Sequence, residues 1–263
     1  MVKKCLAKGA IFLTLFLMYL PILVLIVFSF TDSKNIGVWN GFSFNLYVSL
    51  FKNKEILQVT LNTIIVALSS ALVATILGSL GAIGIFYSKR RTKRVMDFAG
   101  QIPIMNAEIV TALSLTILFV FVGAKFNFLT LLIGHVVLTV PFVVLSVMPK
   151  LKQMDPNTYE AALDLGATPT YALWKVIIPE IIPGIISGFM LAVTLSLDDY
   201  IITAFTKNDS FQTLSTYIYG VTSKKGSLPP QLRALTTIIF LIILGVLFIV
   251  NFRHKKESKG GNR

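Results

Sequence analysis

Long runs of apolar residues, separated by short polar segments, dominate the hydrophobic pattern of this chain. Six such runs lie near residues 9–30, 58–87, 99–122, 128–148, 184–206 and 231–252. Each run is long enough to cross a bilayer as a helix, which takes about 20 residues. None of them alternates with the two-residue period of a barrel strand. The pattern therefore predicts an all-α integral membrane protein with about six transmembrane helices.

The composition supports this expectation and excludes several functions. Hydrophobic residues make up 55% of the 263 residues and charged residues 14%, so the chain has too little polar surface for a soluble globule. The only cysteine is Cys5, and the two histidines, His135 and His254, are far apart in sequence. We therefore expect no disulfide, no metal centre and no catalytic residues, and the absence of a Gly-rich phosphate loop predicts no cofactor.

Basic residues are distributed unevenly among the segments between the runs. If the amino terminus is inside, 16 of the 24 Lys and Arg residues lie on the cytoplasmic side and 8 on the outer side. The positive-inside rule then predicts that both termini are cytoplasmic. It also makes the basic cluster at 89–94 a topology signal rather than a nucleic-acid site.

A polar interruption separates the fourth run from the fifth. Asp155 and Pro156 are typical of a helix start, because Asp caps free N–H groups and Pro lacks an N–H in the first turn. Gly166 favours a sharp stop, and a second helix can open at Pro169. The pattern predicts two short helices that meet at a glycine elbow outside the lipid.

The same interruption carries a spaced motif. Glu160-Ala161-Ala162 is followed after three residues by Gly166, and after nine more by Val176-Ile177-Ile178-Pro179. An ordinary amphipathic loop is one explanation, but the motif resembles the EAA loop of bacterial ABC importer permeases. In that loop Ile and Leu stand at the positions of Val176 and Ile178.

This resemblance implies a type I ABC importer permease fold. Residues 1–263 would form a single transmembrane permease domain, in which residues 149–183 are the cytoplasmic coupling loop. The residues implied in coupling to an ATPase subunit are Glu160, Ala161, Ala162, Gly166 and Pro179.

Three carboxylates fall inside the apolar runs: Glu108, Asp198 and Asp199. A carboxylate near the bilayer centre costs about 2.5–3.5 kcal/mol, so each one needs a reason. Glu108 has the helical spacing that puts it on one side with Thr111 and Ser114.

Asp198 and Asp199 cannot point in one direction on a helix, whereas Ser196 and Asp199 can. One Asp is therefore expected to face a transport path. The other would pair with a neighbouring helix, cap a broken helix or meet the outer interface. The alternative for the pair, as for Glu108, is a purely structural or interfacial role. The sequence leaves open which Asp does which.

Carboxylates at two depths, with basic residues only in loops and at helix ends, suit an elongated organic cation. The chain is also similar to the PotC-type permeases of spermidine/putrescine ABC importers. The segments that carry this similarity are 29–33, 39–42, 108–110, 195–200 and the EAA loop. It implies a substrate path that includes Glu108, Ser196, Asp198, Asp199 and Trp39, although an Asp is usual at the position of Glu108.

The function implied is that of a membrane-spanning subunit of an ATP-driven polyamine importer in the bacterial cytoplasmic (inner) membrane. It would form half of the translocation path and would not be an enzyme itself. The implied partners are a PotB-like second permease, a PotA-like ATPase dimer and a PotD-like extracytoplasmic binding protein. Two alternatives stay open: an importer permease of the same fold for another solute, and a proton-coupled secondary transporter.

Overall fold

A computed structural model describes residues 2–33, 35, 37–155, 157–226 and 228–260. Its helices are α1 (Val2–Ser29), α2 (Asn45–Lys52), α3 (Lys54–Tyr87), α4 (Arg90–Met105), α5 (Glu108–Phe121), α6 (Phe128–Gln153), α7 (Asn157–Asp164), α8 (Pro169–Ala172), α9 (Ile178–Asp198), α10 (Ile201–Thr206), α11 (Leu214–Lys225) and α12 (Gln231–Gly260). Extended pairing in these residues is limited to one isolated bridge between Thr31 and Phe42. The all-α prediction is confirmed.

Within the described residues, four helices are long and apolar enough to cross a membrane. They are Lys8–Ser29, Lys54–Tyr87, Phe128–Gln153 and Pro169–Asp198. A bent pair of helices supplies a fifth candidate, and Gln231–Gly245 is a shorter apolar helix. The six apolar runs of the sequence therefore all lie on helices. The third and the fifth run, however, are each broken and do not form the expected single straight span.

The third apolar run is broken in the middle. Helices α4 and α5 meet at an angle of 103°. The break lies at Asn106 and Ala107, whose backbones are both extended. Asn competes for helical backbone hydrogen bonds, and its position here coincides with the break. Glu108 consequently opens α5 and does not lie inside a continuous third helix, as the apolar pattern had suggested.

The chain forms two compact units, Met1–Leu57 with Gly220–Arg263, and Gln58–Tyr219. In the first unit α12 packs against α1 and α2. Phe30 and Phe42 stack with their ring centroids 5.5 Å apart. The buried Arg233 donates a hydrogen bond to the Ser33 carbonyl oxygen at 3.0 Å. These contacts link the segment after α1 to the start of α12.

The second unit is built on the packing of α6 against α9. Its core consists mainly of small and branched apolar side chains, which allow helices to approach closely. The fully buried members include Ala71, Ala74, Val143, Val147, Ile181 and Ala192. This core fixes α6 and α9, the two helices that also carry most of the candidate site.

One close approach in this core depends on a glycine. A Cβ added at Gly78 on α3 would lie 2.7 Å from Cβ of Val143 on α6 and 3.2 Å from the Val140 carbonyl oxygen. Both contacts are with rigid parts of α6, so the two helices would have to separate. Gly81, one turn later, has only Val144 Cγ2 at 4.0 Å.

We expect Gly78→Ala to destabilise the protein by about 1–3 kcal/mol, which is typical of an overpacked core. The matched control Gly81→Ala should be neutral or slightly stabilising, because Ala is a better helix former than Gly. Thermal unfolding of the purified protein in detergent measures both. Equal midpoints for the two variants would contradict the close approach of α3 to α6.

Candidate functional site

The glycine elbow of the polar interruption is present. The Asp155 carboxylate accepts a hydrogen bond from the Asn157 N–H at 2.9 Å at the start of α7, while Pro156 lies outside the described residues. At the other end, Gly166 has φ +86°. The N–H groups of Gly166 and Ala167 donate to carbonyl oxygens of α7, at 2.9 and 3.0 Å. This pattern is a Schellman stop, for which glycine is the favoured residue.

The second helix of the elbow is much longer than expected. Thr168 caps α8 by accepting a hydrogen bond from the Tyr171 N–H. The helix then continues through a π-helical turn, Leu173–Ile177, into α9 and ends at Asp198. The prediction of a short second helix is wrong. Pro179 lies two residues after the π-helical turn, in the first turn of α9, where a missing N–H is tolerated, so it does not end the helix.

A shallow pocket of about 500 Å³ lies inside the elbow. Its lining residues are Ala162, Leu165, Gly166, Ala167, Thr168, Tyr171 and Val176. Leu165 is 89% exposed, and Tyr171 and Trp174 are also exposed. Three further residues of the motif are exposed and lie close in sequence to the lining residues: Glu160, Ala161 and Pro179. Apolar side chains grouped around an open pocket are typical of a surface that binds another protein.

The fifth apolar run breaks at Asp199. This residue is extended, with ψ 128°, and separates α9 from α10. Its carboxylate oxygens accept hydrogen bonds from the N–H groups of Ile202 at 3.0 Å and Thr203 at 2.8 Å. Among the possibilities left open by the sequence, Asp199 thus caps a broken helix. Inside a bilayer such N–H groups must find partners within the protein.

Asp199 belongs to a buried polar network centred on His135 of α6. The His135 Nε2 atom lies 3.0 Å from Thr203 Oγ1 and 3.5 Å from Asp199 Oδ2. The His135 Nδ1 atom lies 2.7 Å from Ser196 Oγ, which also contacts Ser70 Oγ at 3.0 Å. Both Ser196 and Asp199 therefore turn toward the same imidazole ring.

Sequence reasoning missed His135. A lone histidine on an apolar helix gives no indication of its partners, and His135 lies on a different helix from Ser196 and Thr203. The relevant signal was Asp199 itself, because an acid in an apolar run has to be paired or capped. The sequence alone did not identify the pairing residue.

Glu108 and Asp198 differ from Asp199 in their surroundings. Both are exposed, Glu108 in the first turn of α5 and Asp198 at the end of α9. The charges of Asp198 and Asp199 lie within electrostatic range of Glu108. In the described part of the chain, neither Glu108 nor Asp198 forms an ion pair with Lys or Arg. The structure thus brings the three acids together, with two at the surface and one inside.

Trp39 lies in the first unit. Its side chain is 51% exposed and contacts the ring of Phe28 edge to face, with centroids 6.3 Å apart. About half of the Trp39 surface is therefore accessible to an outside molecule.

The chain combines three features: apolar helices long enough to span a membrane, acidic residues where helices break, and an exposed elbow. Together they are typical of a membrane transport protein that crosses the bilayer several times. The family model described as "Binding-protein-dependent transport system inner membrane component" matches residues 74–255, and the chain belongs to this family. It is thus a multi-pass protein of the inner membrane and a transport subunit rather than an enzyme.

Two similar relatives are polyamine permeases by name. One is the spermidine/putrescine transport system permease protein PotC of Haemophilus influenzae, 33% identical over 92% of this chain and 93% of the relative. The other is the putrescine transport system permease protein PotI of Escherichia coli, 32% identical over 89% and 84%.

A solved structure supports the fold independently. The chain resembles a chain in the crystal structure of a bacterial ABC transporter involved in the import of the acidic polysaccharide alginate, with a TM-score of 0.70 and 15% identity. The alignment covers 97% of this chain and 96% of that chain. The predicted type I ABC importer permease fold is confirmed.

Proposed function

We propose that this chain is a permease subunit of an ATP-driven polyamine importer and forms half of its translocation path. The observation that carries this proposal is the pair of exposed carboxylates, Glu108 and Asp198, within electrostatic range of each other on a transport permease fold. The names of the similar relatives support the same substrate class.

The chemistry of a polyamine fits this arrangement. Polyamines are elongated cations with ammonium groups separated by methylene spacers, so carboxylates on two different helices can bind two groups of one molecule. Glu108 and Asp198 are the direct contacts in this proposal. Ser196 and Asp199 contribute to the path indirectly: they are buried behind Asp198 and hold it in place. Trp39, whose side chain is half exposed, is proposed as a separate contact that attracts the cation by cation–π interaction.

The elbow is the proposed contact with the ATPase. Within the coupling loop, residues 149–183, Glu160, Ala161, Ala162 and Gly166 form or border the concave surface, and Pro179 lies just beyond it. ATP-driven closure of the ATPase dimer then shifts the permease between inward and outward access. The elbow achieves this by binding the two ATPase states with different affinity, because only a differential affinity can shift an equilibrium.

The remaining components follow from this proposal. They are a PotB-like second permease that completes the path, a PotA-like ATPase dimer and a PotD-like extracytoplasmic binding protein. Both termini and the elbow lie on the cytoplasmic side, in agreement with the excess of Lys and Arg there.

A competition assay on the four-component complex in proteoliposomes tests the substrate class. Unlabelled spermidine and putrescine should each inhibit uptake of labelled spermidine, while an uncharged analogue of equal length at the same concentration should leave it unchanged. ATP without a proton gradient should sustain the uptake. Uptake of neither polyamine would assign the fold to another solute, and uptake that needs a proton gradient but no ATPase would favour a secondary transporter.

A further inference from the structure

We infer that His135 is a positioning residue for the substrate path, which holds the break between α9 and α10 so that Asp198 projects from the protein in a fixed direction. The inference rests on the proposed function, because it assigns to Asp198 a direct contact with the cation. His135 itself is fully buried. It therefore acts through other residues and does not touch the substrate.

The directions of the hydrogen bonds can be assigned by counting protons. The Thr203 hydroxyl donates to the Asp199 carboxylate at 2.8 Å, so its oxygen is the acceptor for Nε2–H of His135. The Nδ1 atom of a neutral imidazole is then an acceptor, and the Ser196 hydroxyl donates to it. One imidazole ring thus joins the end of α9 to the start of α10.

Asp198 lies between two residues that this network immobilises. Ser196, two residues before it, is held by His135 and Ser70. Asp199, the next residue, is held by its two backbone N–H donors and by the Thr203 hydroxyl. Since a fixed residue lies on each side of it, the backbone of Asp198 has little freedom, and its exposed carboxylate is held at a defined position.

The other end of α10 is fixed as well. The Thr116 hydroxyl of α5 donates to the Phe205 carbonyl oxygen at 3.1 Å, and the Thr130 hydroxyl of α6 donates to the Thr206 carbonyl oxygen at 2.9 Å. The short helix is therefore held at its carboxyl end independently of His135. Loss of the imidazole should release the amino-terminal end and the break next to it, while the rest of α10 stays in place.

Two amide variants of His135 separate the two sides of the ring. The side-chain nitrogen of Gln is as many bonds from the backbone as Nε2, so His135→Gln keeps a donor for Thr203. The amide of Asn matches Nδ1, so His135→Asn keeps only the partner of Ser196. His135→Leu removes both. We expect the KM for spermidine uptake to stay within about threefold of wild type in His135→Gln and to rise about tenfold in the other two variants, with little change in the maximal rate.

The assay uses the assembled four-component complex at equal amounts of protein. If His135→Asn restores the wild-type KM and His135→Gln does not, or if all three variants keep the wild-type KM, the inference is overturned. A wild-type complex that takes up no polyamine would instead contradict the proposed function, so the two failures are distinguishable.

A double-mutant cycle separates positioning from general destabilisation. If His135 acts through Asp198, then His135→Leu should raise the KM about tenfold in the wild type and less than about twofold when Asp198→Asn is already present. Equal effects in both backgrounds would overturn the inference. Thr203→Val, which removes only the bridging hydroxyl, provides the same comparison if His135→Leu does not assemble, and Thr203→Ser is its matched control.

Discussion

Asp198→Asn is expected to lower polyamine uptake at least about tenfold at an unchanged amount of protein. The substitution keeps the size of the side chain and removes the charge that pairs with an ammonium group, an interaction of about 4 kcal/mol before the cost of desolvation at a partly shielded surface. Glu108→Gln should lower uptake in the same direction. Initial rates of labelled spermidine uptake by the complex measure both effects.

The neighbouring residue provides the contrast. Asp199→Asn puts an amide NH2 group where a carboxylate oxygen accepts backbone and hydroxyl protons. We therefore expect it to lower the free energy of unfolding by about 1–3 kcal/mol in addition to lowering uptake. Asp198→Asn should leave the thermal unfolding midpoint unchanged, because its exposed carboxylate is not part of the network. The cation path is wrong if Asp198→Asn and Glu108→Gln both retain full uptake.

Gly166→Glu is expected to weaken the contact between the permease and its ATPase, so that transport and the ATP hydrolysis that drives it are both lost. Gly166 has φ +86°, a conformation that costs other residues about 1–2 kcal/mol. A side chain added at this position would project into open space at the pocket. Fewer molecules should therefore adopt the elbow conformation that binds the ATPase, and the new carboxylate should obstruct the surface where the ATPase binds. We expect substrate-stimulated ATPase activity and uptake to fall together by about 5- to 30-fold.

Two further glycine variants control for this result. Gly166→Asn should retain most activity, because Asn tolerates the left-handed conformation better than other residues. Gly123, after α5, has φ +71° and also faces open space, so Gly123→Glu imposes a similar backbone cost away from the elbow. It should leave stimulated ATPase activity close to wild type. Normal coupling in Gly166→Glu, or an equal loss in Gly123→Glu, would contradict the role of the elbow.

The sequence predicted the elbow well because its signals are local. A capping Asp155 and a glycine at the stop define a short helix within a dozen residues, and the structure confirms both. The apolar runs were also reliable, since burial in lipid demands length and apolar composition of each span separately.

The breaks in the helices were harder to predict. Hydropathy records how apolar a segment is and contains no information about its direction, so the 103° bend at Asn106 was not apparent. The continuation of the second helix of the elbow into α9 was missed as well. The apolar pattern places the next run only from residue 184, and it contains no sign of the π-helical turn, Leu173–Ile177, that joins the two segments.

The supporting part of the site depends on contacts between distant residues. That an acid near the end of α9 caps a broken helix was one of several possibilities, and no local pattern singled out Asp199 over Asp198. His135 is separated from Ser196 by 61 positions, so only the packing of α6 against α9 brings their side chains within hydrogen-bonding distance.

The helix from Pro169 to Asp198 has a mechanical consequence. At 1.5 Å per residue, its 30 residues form a rod about 45 Å long, with the elbow at one end and the exposed carboxylate at the other. A tilt of about 5° at the elbow moves the far end by about 4 Å, roughly the reach of an ion pair. If the elbow binds the ATPase and Asp198 binds the cation, as we propose, a small rocking motion at the elbow is enough to make or break the contact between Asp198 and the cation.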